Sequence, residues 1–175
     1  MQRVSIAMLA IIVSSGSAAS DLVVVDGPYT YGGHTYYMLD ESSWTAAEAQ
    51  AVQMGGNLAT INDADEDAWV YATFGGDDYA LWIGLNDVAQ EESFVWSSGE
   101  TLGYTNWAEG EPANEGGNSH YVNIHKANHA HSPGKWNDCP DWGIDPAYGI
   151  VEIPEPATLC LLAVGGLVVL KKRKT

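Results

Sequence analysis

The chain has 175 residues, a formal net charge of −16 and 46% hydrophobic residues, among them seven Trp and nine Tyr. Five of its seven basic residues sit at the extremes (Arg3, Lys171, Lys172, Arg173 and Lys174), leaving Lys126 and Lys135 against the 22 Asp and Glu between residues 21 and 153. So acidic a middle excludes nucleic acid as a partner and suits cations, although a solvated acidic surface for a salty exterior accounts for most of these carboxylates.

Residues 1–20 read as a secretory signal: Arg3 gives a basic start, residues 6–13 are apolar, and Ser17-Ala18-Ala19-Ser20 offers small residues for cleavage. Residues 21–33 form a lead-in with Gly27-Pro28 and Gly32-Gly33 as turn signals. Strand formers over 34–39 predict a first strand. Ser43 is placed as the N-cap of a helix over 44–54, whose apolar stripe is Trp44, Ala47, Ala51 and Met54 and which Gly55-Gly56 closes.

A short extended run follows at 58–61. Asn62 is the expected cap of a second helix reaching Phe74, with Asp63, Asp65 and Glu66 near its positive end and Gly75-Gly76 beyond it. Residues 81–85 and 94–96 read as strands. From 99 to 146 the chain reads mostly as loop, interrupted by Trp107, Tyr121-Val122-Asn123-Ile124 and Trp136; a stretch of that length inside a domain is usually functional. Residues 148–153 form the last strand. The order predicts an α+β fold of two helices, short antiparallel strands and a long loop region. Cys139 and Cys160 are the only cysteines and make no evident pair, so Cys139 is expected to be a free thiol.

The last segment, 154–175, runs Pro154-Glu155-Pro156, then 14 residues without charge, then Lys171-Lys172-Arg173-Lys174. As a helix the apolar part covers about 21 Å, short of a hydrocarbon core of roughly 30 Å; the basic run belongs on the cytoplasmic side. These three features in this order resemble the PEP-CTERM sorting signal. The resemblance implies a short transmembrane helix, recognition at Pro154, Glu155 and Pro156 by an exosortase-type enzyme, and delivery to the cell surface or extracellular matrix after transient anchoring in the inner membrane of a bacterium. A plain single-span anchor is the other reading.

Five elements of residues 34–153 resemble the C-type lectin domain. They are Trp44-x-x-Ala47 with Gly55-Gly56-Asn57-Leu58-Ala59; Trp82-Ile83-Gly84-Leu85; Asn106-Trp107 followed by Gly110-Glu111-Pro112; Trp136-Asn137-Asp138; and Tyr148-Gly149-Ile150-Val151-Glu152. The resemblance implies two disulfides, but their positions here hold Ala51 with Val151 and Tyr121 with Asp141. It also implies a calcium ion that a sugar joins through two hydroxyls, held by Glu111, Asn137 and Asp138 with Pro112 at a cis bond. Calcium takes six to eight hard oxygens, and two family ligands are replaced, by Ala113 and Ser119. Asn114 is one residue late and is the candidate substitute.

Asp87 and Glu91 match an auxiliary calcium site that shares Asp138 in some members. The function implied is an exported carbohydrate-binding module for glycan or exopolysaccharide, dependent on Ca2+; the competing reading is a structural or protein-binding domain that has lost its ion. No nucleophile–base pair or phosphate loop is present, so no enzyme is expected. His120, His125, His129 and His131 read as loop residues without the companions a zinc site needs, and Trp107 and Trp136 as core rather than sugar platforms.

Overall fold

The computed structural model describes residues 22–130 and 132–155. The expected signal at 1–20, His131, Pro156, Cys160 and the apolar and basic parts of the tail lie outside them. No helix among the described residues is long and apolar enough to cross a membrane.

Strand β1 (Val24–Tyr31) turns through Gly32-Gly33 into β2 (His34–Glu41) as an antiparallel hairpin. Residues 21–33, read as a lead-in, therefore contain an edge strand. Its irregular burial and its register shifts around Asp26 hid the period of two. The Gly27-Pro28 bond in that irregular stretch is cis.

Helix α1 (Trp44–Gln53) starts where expected: Ser43 Oγ accepts from the Ala46 amide. That satisfies one donor of the open first turn and contributes about 1 kcal/mol. Asp141, far along the chain, accepts from both the Thr45 amide and hydroxyl at 2.8 and 2.9 Å, so the last loop also grips this helix end. Trp44, Ala47 and Ala51 are buried on the stripe; Met54 is half-buried and follows the helix as its C-cap. Ala51 and Val151 pack in one apolar cluster with Leu39, Leu58 and Trp82, the replacement for a cross-link at that place.

After β3 (Asn57–Leu58), helix α2 (Ala64–Phe74) is capped by Asp63, not Asn62. The Asp63 carboxylate accepts from the amides of Asp65 and Glu66, while Glu66 reaches back to accept from the Asn62 amide. Both residues are good caps by type; this carboxylate exchange moves the helix start one residue on. Asp65, Glu66 and Asp67 then occupy the first turn, where the helix dipole favours negative charge.

Strand β4 (Ala80–Asn86) is buried along nearly its whole length and is central. Its neighbours are the short β5 (Val95–Trp96), β6 (Tyr121–Ile124) and β8 (Ala147–Pro154), and β7 (Trp136–Cys139) pairs with β6. The sheet order is β1-β2-β8-β4-β6-β7, antiparallel except for β4 beside β8. Two tryptophans tie its layers: the Trp44 indole donates to Ile83 O and the Trp82 indole to Ser42 O, at 2.8 and 2.9 Å. Each buries a large apolar ring without leaving its N–H unpaired. The fold is α+β with two helices, as expected. Strand β7 lies within what reads as loop, because all four of its residues are buried and leave no alternation to detect.

Candidate functional site

Strand β7 carries Asn137 and Asp138, and its position is fixed from within. The Trp136 ring is fully buried, and its indole donates to Asp67 Oδ1 at 2.8 Å. Asp67 also accepts from the Asn106 amide at 2.5 Å, and burial raises its pKa while these bonds pull the other way. Backbone bonds from Trp136 to Asn106 O (2.9 Å) and from Ala108 to Trp136 O (2.8 Å) lay the 106–111 segment against β7. Glu111 thereby arrives beside Asp138. Trp107 packs edge-on to Trp136 and Phe94, so both tryptophans are packed against the core.

A cavity of about 490 Å³ opens here, with Glu111, Glu115, Ser119, Asn137 and Asp138 among its lining residues. The Glu111–Pro112 bond is cis. Asp138 is a crowded acceptor: Oδ1 takes the Ala113 amide and Oδ2 the Asn114 amide, each at 2.8 Å. Glu111 Oε2 is buried and has no hydrogen-bond partner among the described residues. Burial, then the neighbouring Asp138, pushes the Glu111 carboxyl up to about 7. Two carboxylates this close in a partly dry site call for a proton or a cation between them.

Asn114 is placed differently. It sits in the left-handed region at φ 44°, a conformation asparagine tolerates. Its Oδ1 accepts from the Ser119 amide at 3.3 Å, closing its own loop, and it does not line the cavity. Ser119 is buried and donates its hydroxyl to Glu115 O. Asn137 lines the cavity, and its amide donates to Asp138 O at 3.0 Å. Glu115, near the expected ligands in sequence, supplies a further carboxylate to the cavity wall.

Asp87 and Glu91 lie together, but their third companion is His120 rather than Asp138. The backbone sets this: β4 and β6 pair at Asn86 and Tyr121, and the Asp87 amide donates to His120 O at 3.1 Å. His120 is a loop residue, as read, but it has carboxylate neighbours that the sequence reading did not give it. Its carboxylate companions are 33 and 29 positions earlier in the chain, beyond any local spacing signal. His125 and His129 stack with ring centroids 3.9 Å apart on another wall of the cavity, and burial followed by the His129 charge lowers the His125 pKa.

At the chain's far end, Pro154 is the last residue of β8 and pairs with His34, and the Glu155 amide donates to Gly33 O. Cys139 is a buried free thiol.

A family model described as "Lectin C-type domain" matches residues 40–142, and one for the PEP-CTERM protein-sorting motif matches residues 152–174. A lectin of Pleurodeles waltl is 33% identical over 62% of this chain and 63% of its own, and ladderlectin of Oncorhynchus mykiss is 31% identical over 64% and 59%. The chain thus spans about three fifths of the length of these curated relatives. Among solved structures, the C-type lectin CEL-I from Cucumaria echinata superposes with a TM-score of 0.61 at 24% identity, covering 78% of this chain and 97% of its own. A calcium-independent type II antifreeze protein superposes with a TM-score of 0.63 at 23% identity, covering 76% and 95%. The C-type lectin family is one of carbohydrate-binding proteins, not of enzymes. With its fold, its five sequence elements and the matched model in agreement, the chain belongs to the C-type lectin domain family and carries a PEP-CTERM sorting motif.

Proposed function

We propose that this chain is an exported surface module that binds glycan or exopolysaccharide through a calcium ion held at Glu111, Asn137 and Asp138. The observation that carries this reading is Glu111 Oε2, a buried carboxylate oxygen left without a donor beside a second carboxylate. Hard oxygens from carboxylates and an amide are the donor class calcium takes. Glu115 adds the charge that Ser119 no longer supplies, and Asn114 contributes by fixing the loop. Calcium bound there offers open positions to two neighbouring sugar hydroxyls. Glu111 and Asn137 orient those hydroxyls, and Asp138 holds the 113–114 backbone in place.

Supply to the outside rests on the tail: a signal at 1–20, a domain ending near 153, and a sorting segment at 154–175 cut by an exosortase-type enzyme. Before cutting, the segment holds the chain at the membrane.

A second reading has its own support. Both Asp138 oxygens already accept amide bonds, and Ala113 offers no side-chain oxygen. A domain stabilised by those bonds alone would serve as a structural or protein-binding unit. Titration calorimetry with calcium, followed by glycan-array binding with and without chelator, separates the two. Calcium heat together with chelator-sensitive glycan binding supports the first; no heat up to millimolar calcium leaves the second.

A further inference from the structure

We infer that Asp87, Glu91 and His120 form a site for a zinc-class transition ion rather than the calcium expected beside Asp87 and Glu91. His120 Nδ1 lies 3.1 Å from Asp87 Oδ1 and 3.7 Å from Glu91 Oε2. Ligand atoms bonded to zinc at 2.0–2.2 Å in a tetrahedron stand about 3.4 Å from one another, and these two separations bracket that edge. All three ligand atoms lie within 4.8 Å of one another, and Glu91, the most exposed of the three, is free to close the remaining distance.

The donor set fits zinc better than calcium. Calcium needs six to eight oxygens. Here Asp87 Oδ2 accepts the Glu92 amide at 2.9 Å, and the third ligand in reach is His120, Asp138 standing outside the cluster. An imidazole nitrogen stands where another oxygen is needed, and imidazole with carboxylate suits zinc and its neighbours.

The site is also supported from behind. Asp87 is 1% exposed, fixed by the Glu92 amide, and joined to His120 through the backbone pairing of β4 with β6. Glu91 is 45% exposed and His120 31%, which leaves the fourth corner to water. None of the three residues lines the Glu111 cavity.

The test is titration calorimetry of the full chain with zinc and, separately, with calcium, using His120→Gln, Glu91→Gln and His129→Gln. The expected result is one zinc site that loses about tenfold or more in affinity in H120Q and in E91Q and is unchanged in H129Q. Glu91 is on the surface, so E91Q keeps the test valid if H120Q misfolds. Zinc affinity retained in both H120Q and E91Q overturns the proposal. So does the absence of zinc binding to the unaltered chain, or a calcium heat that E91Q abolishes while zinc gives none.

Discussion

Trp136 and Asp67 meet through a buried hydrogen bond of 2.8 Å between residues 69 positions apart. One is the first residue of β7 and the other lies in the first turn of α2, so the bond fastens the strand bearing Asn137 and Asp138 to the helix layer. Asp67 also holds Asn106, which heads the segment leading to Glu111. Replacing Asp67 by Ala strands the Trp136 indole N–H and removes both bonds. The expected loss is about 3 kcal/mol, read as a lower urea midpoint with unchanged slope. Asp67→Asn, which keeps an acceptor for the indole, is expected to cost less than half of that.

The pH dependence of stability has a defined sign. In the folded chain Glu111 is pushed up to about 7 from 4.5. The folded state therefore keeps a proton that the unfolded state releases as pH rises from about 4.5 to about 7. The corresponding stability is full below that window and is lost as pH rises through it. Glu66 and Asp67 are also raised, burial being the first cause in each, and act in the same sense. Urea midpoints in chelator are expected to fall between about pH 5 and about pH 8. Calcium at Glu111 reverses the dependence, because the ion competes with the proton. Glu111→Gln is expected to make the chelator curve shallower, leaving the part due to Glu66 and Asp67, and to abolish the calcium effect.

Asp138 has a role that survives without any ion. Its two oxygens each hold one amide of the 113–114 backbone. Asp138→Asn keeps one acceptor and turns the other into a donor facing an N–H. Amide hydrogen exchange at residues 113 and 114 is expected to speed up by about tenfold, with the β4 core amides unchanged. Equal acceleration throughout the sheet would mean global destabilisation and would contradict the local role.

The two glycines after α1 differ in what they need. Gly55 has φ +91° with open space around its missing Cβ, so Gly55→Ala costs only backbone strain, about 1 kcal/mol. A Cβ on Gly56 would stand 2.0 Å from Glu152 O, in the backbone of β8. Gly56→Ala is expected to cost about 3 kcal/mol or more, read by thermal or urea unfolding of the paired variants. A reversed order would show that β8 yields easily at this point.

Elements that repeat with a period or carry their own cap were legible: α1 through Ser43 and its alanine stripe, and β4 through its apolar run. Asn62 and Asp63 are equal candidates by residue type, and only the direction in which one carboxylate turns decides between them. Strands β1 and β7 escaped for opposite reasons, the first because it is an irregular edge, the second because both its faces are covered. Glu111, Asn137 and Asp138, singled out because they sit in short motifs, line one cavity. Asn114 was not placeable from sequence, since its left-handed backbone sends Oδ1 toward Ser119. His120 depends on a strand pairing that no local pattern announces.

The sorting motif begins at residue 152, while β8 runs through Pro154, so the two overlap by three residues. Pro154 and Glu155 are still laid against the β1–β2 turn through His34 and Gly33. The residues that the sorting motif shares with the domain, Glu152 to Pro154, are thus backbone-paired inside the sheet, so the start of the motif is part of the folded body.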